Sequence, residues 1–184
     1  CQPDIIRCCM QAEKDGYQGV VINCFGDPGV RAAREAVNIP VFGGFEPVMH
    51  LALGVADRIG IVTVLPNVLP LIRSGIARAR LEGRVACVRS IDIPVLDLSN
   101  HEKLCSAVFE ESLKAIREDG AEAIVLGCTA MVDVTETVQK RLHEAGYLIP
   151  VLEAAQSAVM LLELTVKMGL KHSRITYMSI PEKG

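Results

Sequence analysis

A parallel, doubly wound α/β fold in two lobes related by a pseudo-twofold axis is what this sequence predicts, on three observations. Short apolar runs alternate with amphipathic stretches along the chain, the order expected of parallel strands joined by crossover helices. The runs are continuous rather than alternating, as in strands covered on both faces. One unit of the pattern occurs twice: "DGYQGVVINC" at residues 15–24 is matched by "DGAEAIVLGC" at residues 119–128.

The elements follow in order. "QPDIIRCCMQAEKDGY" places Ile5, Ile6, Cys9 and Ala12 near helical spacing and stops at Gly16. "GVVIN" reads as a buried strand. Asp27 is then the expected N-cap of a helix with Pro28 at its first position and an apolar face of Val30, Ala33 and Val37. "IPVFG" is the next strand, "EPVMHLAL" a helix and "RIGIVTV" a strand. "NVLPLIRSGIARARL" reads as a helix despite Pro70, "RVACVRSIDIPVL" as a strand region, and "NHEKLCSAVFEESLKAIREDG" as an amphipathic helix stopped by Gly120. After Cys128 the pattern Asp133, Glu136 reads as a capping box, with Val134, Val138 and Leu142 as the apolar stripe.

The repeat is collinear beyond the two cysteines. Each copy continues through a helix to "IPV" (39–41 and 149–151), then to a helix containing Val-Met, then to Arg-Ile and a strand (58 onward and 174 onward). Duplication of this kind predicts lobe A from residues 1–50 plus 157–184 and lobe B from residues 51–156, with equivalent loops facing one cleft. It also predicts an exchange, in which the helix after each "IPV" crosses to the other lobe.

Composition narrows the function. The chain has 184 residues, half of them hydrophobic, and a net charge of −3 with no block of like charge; no basic stripe exists to neutralise phosphates, so nucleic acid is not an expected partner. No apolar run approaches the roughly 20 residues of a membrane span, and the expectation is a cytoplasmic protein acting on a small molecule. Seven cysteines, at positions 1, 8, 9, 24, 87, 105 and 128, show neither CxxC nor metal-type spacing, and the four histidines form no ligand pattern; no metal is expected. The chain opens on Cys1 and its first element is a helix rather than a strand, which leads us to expect a preceding segment.

Cys24 and Cys128 each stand where a strand hands over to a helix, at the sheet edge where open α/β folds bind ligands. One thiol per lobe, on opposite sides of a bound molecule, suits removal of a proton from one face of a carbon and delivery of another to the opposite face. Thiolate is a capable base, and a helix N-terminus favours the anion. Free N–H groups around Gly26 and Thr129 are placed to receive a carbonyl oxygen or carboxylate. Such a mechanism requires no cofactor.

The stretches "INCFGDPG" around Cys24 and "VLGCTAM" around Cys128 resemble the aspartate/glutamate/hydantoin racemase superfamily, and more closely its hydantoin and allantoin racemase branch. The resemblance covers nearly the whole chain. It implies a cofactor-independent racemase of 5-substituted hydantoins or related cyclic ureides, with Cys24 and Cys128 as the acid/base pair. It further implies substrate contacts at Phe25, Gly26, Thr63, Val64, Gly127, Thr129 and Ala130, and a homo-oligomer. Amino-acid racemase, maleate isomerase or arylmalonate decarboxylase chemistry, and a metabolite-binding protein without chemistry, remain as alternatives. Cys1, Cys8, Cys9, Cys87 and Cys105 are expected to fill helix or strand faces, Glu46 and His50 to pair along a helix, and Met131, Met160 and Met168 to lie in the core.

Overall fold

The computed structural model describes residues 2–178. Seven helices and six strands follow one another as α1 (Gln2–Lys14), β1 (Val20–Val21), α2 (Val30–Ala36), β2 (Val41–Phe42), α3 (Phe45–Leu53), β3 (Ile59–Thr63), α4 (Leu69–Arg78), β4 (Val85–Ser90), α5 (His101–Asp119), β5 (Ala123–Leu126), α6 (Thr135–Glu144), β6 (Val151–Glu153) and α7 (Ala154–Lys167) among the described residues. All strand pairs are parallel. β1 and β2 form a small sheet with Val20 opposite Val41, and the larger sheet runs β4-β3-β5-β6 with Ile61 opposite Val125 and Ile124 opposite Val151.

The continuous apolar strands are covered on both faces, as their composition demands. Successive side chains of a strand point to opposite sides of its sheet. Val62, Ile124 and Leu126 accordingly meet Val108 and Ala115 of α5 and Val138 and Leu142 of α6. Ile59, Ile61, Ala123 and Val125 meet Phe45, Val48 and Met49 of α3 and Ile72 and Ile76 of α4. A third core gathers Cys9, Ile22, Val30, Ala33, Val37 and Val41 around the small sheet.

The expected exchange of helices is present. α3 follows β2 of the small sheet but packs on β5 and β6 of the large one, whereas α7 follows β6 and packs back on β1 and β2. The return is close: a Cβ on Gly19 would stand 2.5 Å from Leu162 Cδ1. α3 and α7 also pack against each other, so each sheet is held by a helix that grows out of the other.

Local signals set most boundaries. Asn100 caps α5 by accepting from the Lys103 N–H at 3.1 Å, and Gly120, at φ +71°, ends it. Pro70 lies in the first turn of α4, where its missing N–H has no intrahelical partner to lose. β4 stops at Ser90, although the Ile91 and Ile93 N–H groups still reach the Thr63 and Val64 carbonyls beyond a left-handed Asp92.

Other local readings give way to longer-range contacts. Neither Asp27 nor Asp133 caps the helix that follows it: α2 begins after Gly29 and α6 after Val134, with no side-chain cap in either case. Both aspartates are in left-handed backbone, at φ +50° and +60°, and their loops are fastened elsewhere. Glu46 pairs with the buried Arg34 at 2.8 Å, while His50 is exposed. Met131 is fully buried, but Met160 and Met168 are 54% and 61% exposed, because α7 turns that face away from both sheets. Cys9 and Cys105 are buried and Cys8 is exposed; Cys1 lies outside the described residues. Arg174 opens no strand within the described residues. Its guanidinium donates instead to the Arg34 and Val37 carbonyls and to Asn38 Oδ1, and residues 179–184 lie outside the description. No described helix is long and apolar enough to cross a membrane.

Candidate functional site

The chain leaves β1 through Ile22, whose N–H still reaches the Phe42 carbonyl at 2.8 Å, and turns at once, the Cys24 N–H bonding the Ile22 carbonyl at 2.7 Å. Phe25 then enters the core. It is 5% exposed and meets Phe45 edge to face at 5.4 Å between ring centroids. Anchoring Phe25 inward leaves the preceding Cys24 exposed. The Cys24 carbonyl accepts from the N–H groups of Asp27 and Gly44, both at 3.2 Å.

The loop after β5 is built from the same kind of parts. Gly127 must be bare, since a Cβ there would stand 2.9 Å from Ile61 Cγ2 and 3.1 Å from Thr63 Cβ. Its N–H donates to the Val62 carbonyl at 2.7 Å, and its carbonyl accepts from Thr63 Oγ1 at 2.9 Å. Cys128 follows, half-buried, and Met131 plugs the core three residues on. Burial pushes the Cys128 thiol up from its ordinary range; the Ala130 and Met131 N–H groups oppose this by donating to the sulfur, and a charge on Cys24 raises it further.

The two loops meet. Thr129 Oγ1 donates to the Asn23 carbonyl at 3.1 Å, joining the residue after one cysteine to the residue before the other. Gly44 fills the gap: a Cβ on it would lie 2.9 Å from Thr129 Cγ2, 3.1 Å from the Cys24 carbonyl oxygen and 3.1 Å from Phe25 Cα. Two carboxylates tie the loops further. Asp27 Oδ1 accepts from the Phe45 N–H at 3.0 Å, at the start of α3. Glu153, at the end of β6, accepts from the Asp133 N–H, and the Asp133 carbonyl bonds His101 Nε2 at 3.0 Å. Burial pushes the Glu153 carboxyl up, and the neighbouring Asp133 carboxylate adds to that.

Of the seven residues singled out as substrate contacts, Phe25, Gly26, Gly127, Thr129 and Ala130 lie on the two cysteine loops, and Thr63 and Val64 lie at the end of β3. Ala130 is exposed and Gly26 half-buried, whereas Phe25, Thr63, Val64, Gly127 and Thr129 are buried, and the Thr63 hydroxyl is committed to the Gly127 carbonyl. A groove of about 720 Å³ runs along Gly26, Asp27, Pro28 and Gly29 beside Arg31 and Arg78. A hollow of about 380 Å³ is lined by Asp133, Thr135, Glu136, Glu153 and Gln156. Each adjoins one cysteine loop and neither is lined by a sulfur. Among the described residues no group of three or more His, Cys, Asp or Glu side chains gathers to hold a metal ion.

Sequence reasoning missed Asn23, Gly43, Gly44 and Glu153. A signal for the last three existed in the repeat itself, where "IPVFGG" aligns with "IPVLEA": one copy carries two bare residues where the other carries a carboxylate. The reactivity of Cys128 provides a direct check on the electrostatics. Its alkylation by iodoacetamide is expected to accelerate with pH about a midpoint above that of a free cysteine. Cys24→Ala is expected to lower that midpoint, since it removes the Coulombic push and leaves the burial; mass spectrometry of the labelled peptide across a pH series measures it. An unmoved midpoint means that the two sulfurs do not interact.

Comparison with known proteins identifies the family. Residues 1–162 match the profile of the family described as Asp/Glu/Hydantoin racemase. A hydantoin racemase of Pseudomonas sp. (strain NS671) is 33% identical over 182 residues, 98% of this chain and 71% of that protein. One of Rhizobium meliloti is 31% identical over 180 residues, 97% of this chain and 73% of that one. The solved structure of allantoin racemase from Klebsiella pneumoniae superimposes with a TM-score of 0.90 at 35% identity, covering all of this chain and 73% of its own. With the family profile spanning most of its length and relatives above 30% identity along nearly all of it, this chain belongs to the Asp/Glu/hydantoin racemase family.

Proposed function

We propose that the chain is an isomerase that racemises 5-substituted hydantoins, or related cyclic ureides such as allantoin, by cofactor-independent two-base proton transfer between Cys24 and Cys128. The observation that carries this reading is the meeting of the two thiol loops, stitched by Thr129 to Asn23, with the sulfurs near enough for the charge of one to raise the other. Burial and the charge of Cys24 both hold Cys128 toward the thiol, the form that donates a proton; in the proposed cycle one sulfur accepts a proton while the other donates.

The stereocentre, flanked by one ring carbonyl and one ring nitrogen, is a weak carbon acid whose conjugate base carries its charge on the carbonyl oxygen. One sulfur removes its proton, backbone N–H groups around Gly26 and Thr129 receive the developing oxyanion, and the opposite sulfur supplies the new proton. Gly26, Gly127, Thr129 and Ala130 bound the substrate, with Phe25, Thr63 and Val64 contributing backbone. The two-lobed organisation, residues 1–50 plus 157–184 against 51–156, belongs to the same proposal, as does the substrate class that the relatives' names suggest.

The test is made in deuterium oxide with each enantiomer of a 5-substituted hydantoin and of allantoin. Both enantiomers are expected to invert and to acquire deuterium at the stereocentre, followed by chiral chromatography and mass spectrometry. Inversion without incorporation, or no inversion of any of these ureides, overturns the reading.

A further inference from the structure

We infer that Asp27 is a positioning residue for the Cys24 sulfur, holding it in register with Cys128 by fastening the first thiol loop to α3; the inference rests on the proposed two-thiol chemistry. The side chain does not serve the helix next to it. Its Oδ1 reaches the Phe45 N–H at 3.0 Å, across 18 residues of sequence. α3 is itself seated on the large sheet, where Phe45, Val48 and Met49 pack with Ile61 and Val125. Asp27 therefore joins the loop of one sulfur to a helix built on the sheet that carries the other.

Three features of the backbone are arranged around this bond. Asp27 is in left-handed conformation, φ +50°, a region that L residues other than Asn and Asp rarely occupy. Its N–H returns to the Cys24 carbonyl at 3.2 Å, and the same carbonyl is held from the far side by the Gly44 N–H at 3.2 Å. Gly43 is bare because the carboxylate fills the space of its side chain: a Cβ there would stand 2.0 Å from Asp27 Oδ1 and 2.5 Å from Cγ. The φ of Gly43 is not in the left-handed region, so side chains and not the backbone exclude a larger residue: the carboxylate first, and Val30 Cγ2, 2.9 Å from the same point, second. The Cys128 loop has fastenings of its own through Glu153 and His101, beside the Thr129 bond to Asn23 that it shares with the Cys24 loop.

Loss of the fastening should thus disturb Cys24 far more than Cys128, whose loop keeps its Glu153 and His101 contacts; a general loss of structure would disturb both alike. In Asp27→Ala, racemisation in both directions is expected to fall about a hundredfold, the scale of an ångström-level misplacement. Both directions fall together because each uses both sulfurs. Exchange separates them. For the enantiomer whose hydrogen faces Cys128, that thiolate still removes the proton, its S–H exchanges with deuterium oxide, and a deuteron returns to the same face; deuterium enters without inversion. For the other enantiomer, removal itself requires Cys24, and incorporation falls with racemisation.

Asp27→Asn keeps an acceptor oxygen for the Phe45 N–H and is expected to stay within about threefold of the parent. Gly43→Ala displaces the carboxylate without removing it and is expected to show the same one-sided exchange; it carries the test if Asp27→Ala does not fold. In the Asp27→Ala background, Gly43→Ala is expected to cost less than in the parent, since the two nearest obstructing atoms are gone and only Val30 Cγ2, at 2.9 Å, remains. Equal loss of exchange for the two enantiomers, or undiminished racemisation in Asp27→Ala and Gly43→Ala, overturns the inference. Failure of the unaltered protein to racemise either ureide removes the proposed activity itself, a different result from equal loss in the variants.

Discussion

Cys24→Ala is expected to abolish racemisation of a hydantoin or allantoin in both directions, by about a thousandfold or more, the upper part of the range for a general acid or base. In the two-thiol mechanism proposed above, racemisation in either direction needs one sulfur to take the proton and the other to give one, so no direction is spared. Cys24 is exposed at the end of β1 and contributes to no apolar core, so the variant is expected to unfold at the temperature of the parent. Chiral chromatography of each enantiomer measures the first expectation and circular dichroism on heating the second. Cys128→Ala is expected to match it in rate. Because Cys128 is half-buried beside Met131 and the α5–α6 core, a small loss of stability accompanies that change. Racemisation at the parental rate in either variant removes the cysteine pair from the chemistry.

Gly44→Ala is the second change of large effect. Its new methyl group would press on Thr129 Cγ2, on the Cys24 carbonyl and on Phe25 Cα at once. Two of the three obstacles are backbone and do not rotate away. Overpacking of this kind costs about 1–3 kcal/mol, and the atoms that must move belong to both thiol loops. Racemisation is expected to fall more steeply than stability, by roughly a hundredfold, the cost of a misplaced catalytic group. Thr129→Ser in the same chain deletes the Cγ2 methyl while keeping the hydroxyl that reaches Asn23, and is expected to restore only part of the loss. Thermal unfolding and the racemisation rate, measured on the same preparations, make the comparison. If Gly44→Ala leaves both unchanged, the loops are not in the contact described here.

How far the sequence could be read depended on the range of the interaction involved. The strand–helix alternation, the burial of β3 and β5, the Asn100 cap and the Gly120 stop all arise within one turn or one strand, and all are legible in the chain. The duplication placed Cys24 and Cys128 in equivalent loops, because a repeated sequence specifies a repeated backbone. It also led to the exchange of α3 and α7 between sheets, a consequence of topology alone. The departures involve groups that are distant in sequence. Asp27 bonds Phe45 and not the helix beside it, Glu46 finds Arg34 and not His50, and Met160 faces outward on a helix whose apolar residues exceed what the sheets can cover.

By itself, then, the chain determined most of its secondary structure, its parallel order and the equivalent loop positions of Cys24 and Cys128, since hydrophobic periodicity, turn chemistry and internal repetition are local properties. Only the tertiary structure decided how the loops that carry those thiols are held together. The Thr129 hydroxyl on the Asn23 carbonyl, the bare space at Gly43 and Gly44, and the Asp27 carboxylate at the head of α3 each depend on two segments reaching the same place. A hydrogen bond or a close approach of that kind has no signature in either segment until packing of the two sheets and their exchanged helices brings them together.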